Sequence, residues 1–161
     1  MTAVDDRPAS EVGTARKRKE DARLITGRTK WTDNIQLPGM LHLAMVRSPF
    51  AHATIDAIDT SAAAASPGVI AVFTGADLAD SQGVNINAWP IAPDQVTPTH
   101  LPVAVERVAC AGEIVAVVAA RSAAAARDAV ELVDVEWGEL AAVLDLKEAA
   151  ADTVLAHPSL G

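Results

Sequence analysis

Hydrophobic and polar positions begin to alternate at Leu41. Leu41, Leu43 and Met45 share one parity and His42, Ala44 and Val46 the other, which predicts a strand. Ser48-Pro49 interrupts it: proline removes a backbone donor and fixes φ, so a bend or strand end falls there. Alternation resumes with Ala53, Ile55 and Ala57 against Thr54, Asp56 and Ile58, a second strand. DTSAAAASPG (Asp59 to Gly68) predicts a short alanine helix, capped by Asp59 or Thr60 and stopped by Pro67-Gly68. VIAVFTG (Val69 to Gly75) predicts a buried strand, and Thr74 with Asp77 three residues on fits a capping box opening a short helical turn.

Residues 80–102 hold four prolines and Trp89 and predict a loop of about twenty residues, a length that goes with function, contact or mobility. Order returns at Arg107 to Ala120, where Gly112 predicts two short strands or one bulged strand. From Ser122, a plausible N-cap, the chain predicts a helix to Val135. Ala126, Ala129, Val130 and Val133 share one face, with Arg127, Asp128, Glu131 and Asp134 opposite. A strand follows over Val133 to Trp137 and a last short helix over Leu144 to Asp152. Residues 1–20 are too polar to bury surface and predict a flexible tail, leaving 21–161 as a single domain. The strands are too few and irregular for a doubly wound sheet. The expectation is α+β: one small mixed sheet with short helices.

Half the residues are hydrophobic, mostly Ala and Val, with two Phe, three Trp and no Tyr, so the core must be built by close approach of small side chains. The net charge of −8 argues against nucleic-acid binding, which needs clustered cations. Acids interrupt the basic run Arg16 to Arg23. No signal-like segment and no apolar window of about 18 residues is present, so a cytoplasmic protein without a membrane span is expected.

RSPFAHATI (Arg47 to Ile55) places Arg47, Ser48 and His52 close in sequence, as a nucleophile and base would be. The ordinary reading outweighs this: Ser48 sits before a proline at a bend, and Arg47 and His52 lie at strand ends. Cys110 lies in an apolar pattern, where cysteine acts as a small hydrophobe rather than a thiolate. The histidines at 42, 52, 100 and 157 lack ligand spacing, no CxxC occurs, and the glycines form no phosphate loop. Glu113 reads as a strand-end surface acid, and Glu131, Asp134, Glu136 and Glu139 as one solvated face. No catalytic, cofactor-binding or metal-binding residue is assigned.

Several segments in order nevertheless resemble a family. They include Arg18 to Gly27 (RKEDARLITG), Asp33 to His42 (DNIQLPGMLH), Val46 to Ile55 (VRSPFAHATI), Pro67 to Leu78 (PGVIAVFTGADL), Gly112 to Ala120 (GEIVAVVAA) and Ala129 to Trp137 (AVELVDVEW). The series resembles the N-terminal α/β hammerhead domain of molybdenum hydroxylase large subunits, the xanthine dehydrogenase, aldehyde oxidase and aerobic carbon monoxide dehydrogenase family. The resemblance implies that RSPxAHA is a strand–bend–strand feature. It also implies that molybdopterin cytosine dinucleotide and the catalytic glutamate lie in later domains absent from this sequence, with iron–sulfur and FAD in partner subunits. The domain would be structural, packing on the molybdenum-binding domains, and homo-oligomerisation stays open. A stand-alone, non-catalytic interaction module is the alternative, and a hydrolase using Ser48 or Cys110 a third. Departures from the family pattern are Thr29 for glycine, Trp31 for tyrosine, Cys110 for an aromatic or similar residue, and Ile114 for proline.

Overall fold

A computed structural model describes residues 15, 17–83, 92, 94–151 and 153–160. Residues 1–14 and 16 of the predicted tail therefore fall outside the described residues, as do positions 84–91 and 93 of the predicted loop. Two compact units form, 1–39 and 40–161. The first contains helix α1 (Asp21–Ile25) and a 3-10 turn, Thr32–Asn34. Arg18 pairs with Asp21 at 2.9 Å in water, a contact of little energetic weight.

The second unit holds β1 (His42–Arg47), β2 (Ala53–Asp59), α2 (Ser61–Ala64), β3 (Val69–Thr74), α3 (Gly75–Gln82), β4 (Arg107–Val108), β5 (Ile114–Ala120), α4 (Ala123–Val130), β6 (Asp134–Glu139) and α5 (Leu146–Ala150). The α+β class holds, but the single mixed sheet does not form. The strands divide into two three-stranded sheets, β1-β5-β3 and β4-β2-β6, with every pairing antiparallel. Local periodicity predicts strands, not partners, and each strand here pairs far along the chain.

Local chemistry sets the boundaries. Thr74 Oγ1 accepts the Asp77 N–H while Asp77 Oδ2 accepts the Thr74 N–H at 2.8 Å, and this closed box supports eight helical residues rather than a turn. Ser122 Oγ accepts the Ala125 N–H and starts α4. Of the two candidates before α2, Asp59 does the capping, accepting the Ser61 N–H at 2.8 Å, and the Thr60 side chain makes no cap bond. Gly112, at φ +87°, separates β4 from β5 as expected.

Helix α4 lies on β1 and β5, burying Ala126 and Ala129 and leaving Arg127 and Asp128 in water. Its small side chains let it approach Val118, Ala63, Val69 and Val72. A second cluster joins the two sheets: Val46, Val115 and Ala116 meet Ala53 and Val108, with Ile55, Val135 and Trp137 packed against them. Burying a valine such as Val108, Val115 or Val118 stabilises the fold by roughly 1.5–3 kcal/mol, and each alanine methyl by less. α3 sits so close to the following segment that a Cβ on Gly75 would collide with the Ala104 carbonyl.

Candidate functional site

The two segments that look chemical in the sequence meet in the fold. The Ser48 N–H donates to the Glu113 carbonyl at 2.9 Å, the Gly112 N–H donates to the Ser48 carbonyl at 2.8 Å, and Arg47 Nη1 donates to the Gly112 carbonyl at 2.7 Å. The contacts join one bend to another through the backbone.

Ser48 is buried, and its Oγ accepts the Phe50 N–H at 3.0 Å while donating to the Phe50 carbonyl at 2.9 Å. Both hydroxyl functions are thus used within its own turn, as a serine before proline does. His52 is also buried, at 6% exposure, but its Nδ1 lies 2.8 Å from the Ala141 carbonyl, 89 residues along the chain. A carbonyl only accepts, so Nδ1 carries a proton and donates in this contact, leaving Nε2 as the ring's other polar atom. No described residue satisfies that buried Nε2. The Leu140 N–H donates to the His52 carbonyl, so this histidine ties β2's start to the end of β6 twice.

Glu113 departs from its expected place as a surface acid. Its side chain is only 10% exposed, and Oε2 accepts the Ala109 N–H at 2.8 Å while Oε1 lies 3.6 Å from His100 Nε2. The carboxylate closes the Ala109–Glu113 turn from inside. Cys110 Sγ sits 4.0 Å from the same Oε2. Contrary to the apolar strand expected, Cys110 is exposed in the turn after β4; desolvation first, and the Glu113 charge second, push its thiol up, away from a thiolate.

The other histidines are scattered. His42 points inward on β1, half-buried, and His157 borders a groove of about 470 Å³ shared with Leu101, Val105, Arg107 and Leu160. Among the described residues no group of three His, Cys, Asp or Glu side chains is arranged to hold a metal. Glu131, Asp134, Glu136 and Glu139 are all exposed, as expected. Sequence reasoning missed Gln82, which accepts the Val103 N–H at 3.0 Å and donates to the Gly75 carbonyl at 3.3 Å, pinning the returning chain to α3. A glutamine at a helix end gives no local signal of such a long-range contact.

What the geometry builds is a fastening of bends. The family model described as "Aldehyde oxidase and xanthine dehydrogenase, a/b hammerhead domain" matches residues 26–141. The chain is 45% identical over 134 residues to the nicotine 6-hydroxylase large subunit of Paenarthrobacter nicotinovorans, covering 83% of this chain and 16% of that one. Quinoline 2-oxidoreductase from Pseudomonas putida 86 superposes with a TM-score of 0.81 at 43% identity, over 92% of this chain and 19% of its own. Cu,Mo-CO dehydrogenase follows with a TM-score of 0.75 at 38% identity, over 92% and 18%.

Proposed function

The chain belongs to the aldehyde oxidase and xanthine dehydrogenase a/b hammerhead family, and on that premise we propose that its work is structural, as one domain of a molybdenum-dependent oxidoreductase. The carrying observation is the match over residues 26–141 combined with its share of the relatives: it spans under a fifth of each of the three named above. We assign residues 21–161 to the hammerhead and 1–20 to a tail. The residues do not fit the molybdenum group: the described residues offer no group of three ligating side chains, Ser48 and Glu113 of the bends are engaged with backbone, and His52 Nε2 is left as a lone buried nitrogen. No chemical step is assigned through it to this chain.

On this reading the complete protein carries molybdopterin cytosine dinucleotide in the remaining domains. Iron–sulfur and FAD subunits accept the electrons. The reaction takes its oxygen from water: a C–H substrate and water give the hydroxylated product, two protons and two electrons. With carbon monoxide, the products are carbon dioxide, two protons and two electrons. The setting is cytoplasmic, and among the described residues no helix is long and apolar enough to cross a membrane.

The test is to purify the protein under native conditions and measure molybdenum and polypeptide composition together. Molybdenum in stoichiometric amount, held on polypeptide other than residues 1–161, is the expected result. Substrate oxidation by residues 1–161 alone would overturn the structural reading. A homogeneous, metal-free protein that binds another polypeptide would favour the stand-alone interaction module.

A further inference from the structure

The β1-β5-β3 sheet is built inside out. On β1 the half-buried positions are His42 and Ala44, while Leu43 is 62% and Met45 42% exposed. Pairing shows that these belong to one face. Met45 and Phe73 both lie opposite Val117, and Leu43 and Ala71 both lie opposite Ala119. The alternate row, Ala44, Val118 and Val72, faces the core under α4. The outer face is therefore Leu43, Met45, Val117, Ala119, Ala71 and Phe73, with Phe73 41% exposed and Ala119 buried; Arg47, next on this parity of β1, bounds one end, its Nη2 3.5 Å from Met45 Sδ. Large apolar side chains contiguous on a sheet surface mark an interaction site.

We propose that this face is the docking surface for the remainder of a molybdenum hydroxylase large subunit; the proposal rests on the function argued above and names the surface it uses. Two observations choose this occupant. The matched relatives carry more than four-fifths of their length outside the segment aligned here, so polypeptide large enough to cover the sheet accompanies the domain in them. A second copy of this chain is the poorer fit, because each copy carries a net charge of −8 and pairing two adds repulsion across an apolar face. An apolar partner surface, itself without charges at its centre, is what the face recognises.

The experiment replaces the matching segment of the nicotine 6-hydroxylase large subunit with this chain, keeping the whole complex, and compares it with residues 1–161 alone. Met45 oxidation by dilute peroxide reads the face directly. The expected result is rapid oxidation in the chain alone and at least about tenfold protection in the assembled chimera. Leu43→Lys with Phe73→Lys should leave the isolated chain folded by circular dichroism yet prevent the chimera from assembling. Glu136→Lys, on the other sheet, should assemble normally. An active chimera in which Met45 stays fully reactive, or which tolerates both lysines, overturns the surface and leaves the structural role standing. A chimera that fails to assemble with the unaltered face counts against both. A dimer of the isolated chain that Leu43→Lys dissociates reassigns the face to a second copy and overturns the named occupant.

Discussion

Strands β1 and β6 both alternate, and they face opposite ways. β6 turns Val135 and Trp137 toward the core and shows Asp134, Glu136 and Glu139 to solvent. β1 turns His42 and Ala44 inward and shows Leu43 and Met45. Both are sound strands by the same pattern, and both contribute to one core. The difference lies in what each outer face is adapted to: the β6 side to water, the β1 side to another apolar surface. An alternating pattern thus identifies a strand without saying which parity is inside.

The sharpest way to break this contrast is to reverse it on one strand. Val118, fully buried on the inner row of β5, should not tolerate charge. Val118→Asp is expected to remove more than about 4 kcal/mol and abolish the cooperative thermal transition. On the β6 side, Trp137→Ala should cost about 3 kcal/mol in urea unfolding, because Trp137 packs on Phe50 with ring centroids 5.7 Å apart. The outer row of β1 should behave differently. Leu43→Asn with Met45→Thr is expected to change the stability of the isolated chain by no more than about 0.5 kcal/mol while raising its solubility. A loss as large as that of Trp137→Ala would mean that the outer row is already part of the core.

The smallest effect concerns a feature both sheets share. β2 leaves its sheet through Asp59 and β3 through Asp77, each carboxylate accepting backbone N–H bonds at a helix start. Those bonds, to Ser61 and Thr74 respectively, hold both carboxyl groups below their usual range. A depressed folded value means that the contribution is complete above the unfolded carboxylate value and is lost as pH falls through the folded one. Stability should therefore decline slightly below about pH 4, and Asp59→Asn with Asp77→Asn should flatten that part of the profile. An unchanged slope in the double variant would remove these caps from the account.

Much of this was legible in the residues. The strands starting near 42, 53, 69 and 114, the box at Thr74 and the cap at Ser122 follow from local geometry, and the run of family-like segments pointed to the hammerhead. The separation into two sheets was not legible, because β1 pairs with β5 and β2 with β6 across long stretches of chain. The role of Glu113 was hidden for a related reason: His100, which faces it, arrives from the proline-rich segment. Ser48 and His52 are the converse case. Their residue types suggest chemistry, and their hydrogen bonds are spent on Phe50 and Ala141.

The antiparallel partner of β1 has a consequence in time. During synthesis Leu43 and Met45 leave the ribosome roughly seventy residues before β5 does, which is several seconds at ordinary elongation rates. Throughout that interval β1 has neither a neighbour for its backbone nor a cover for its larger side chains. Nascent chains stalled before Ile114 should therefore aggregate more readily than those released after Val130.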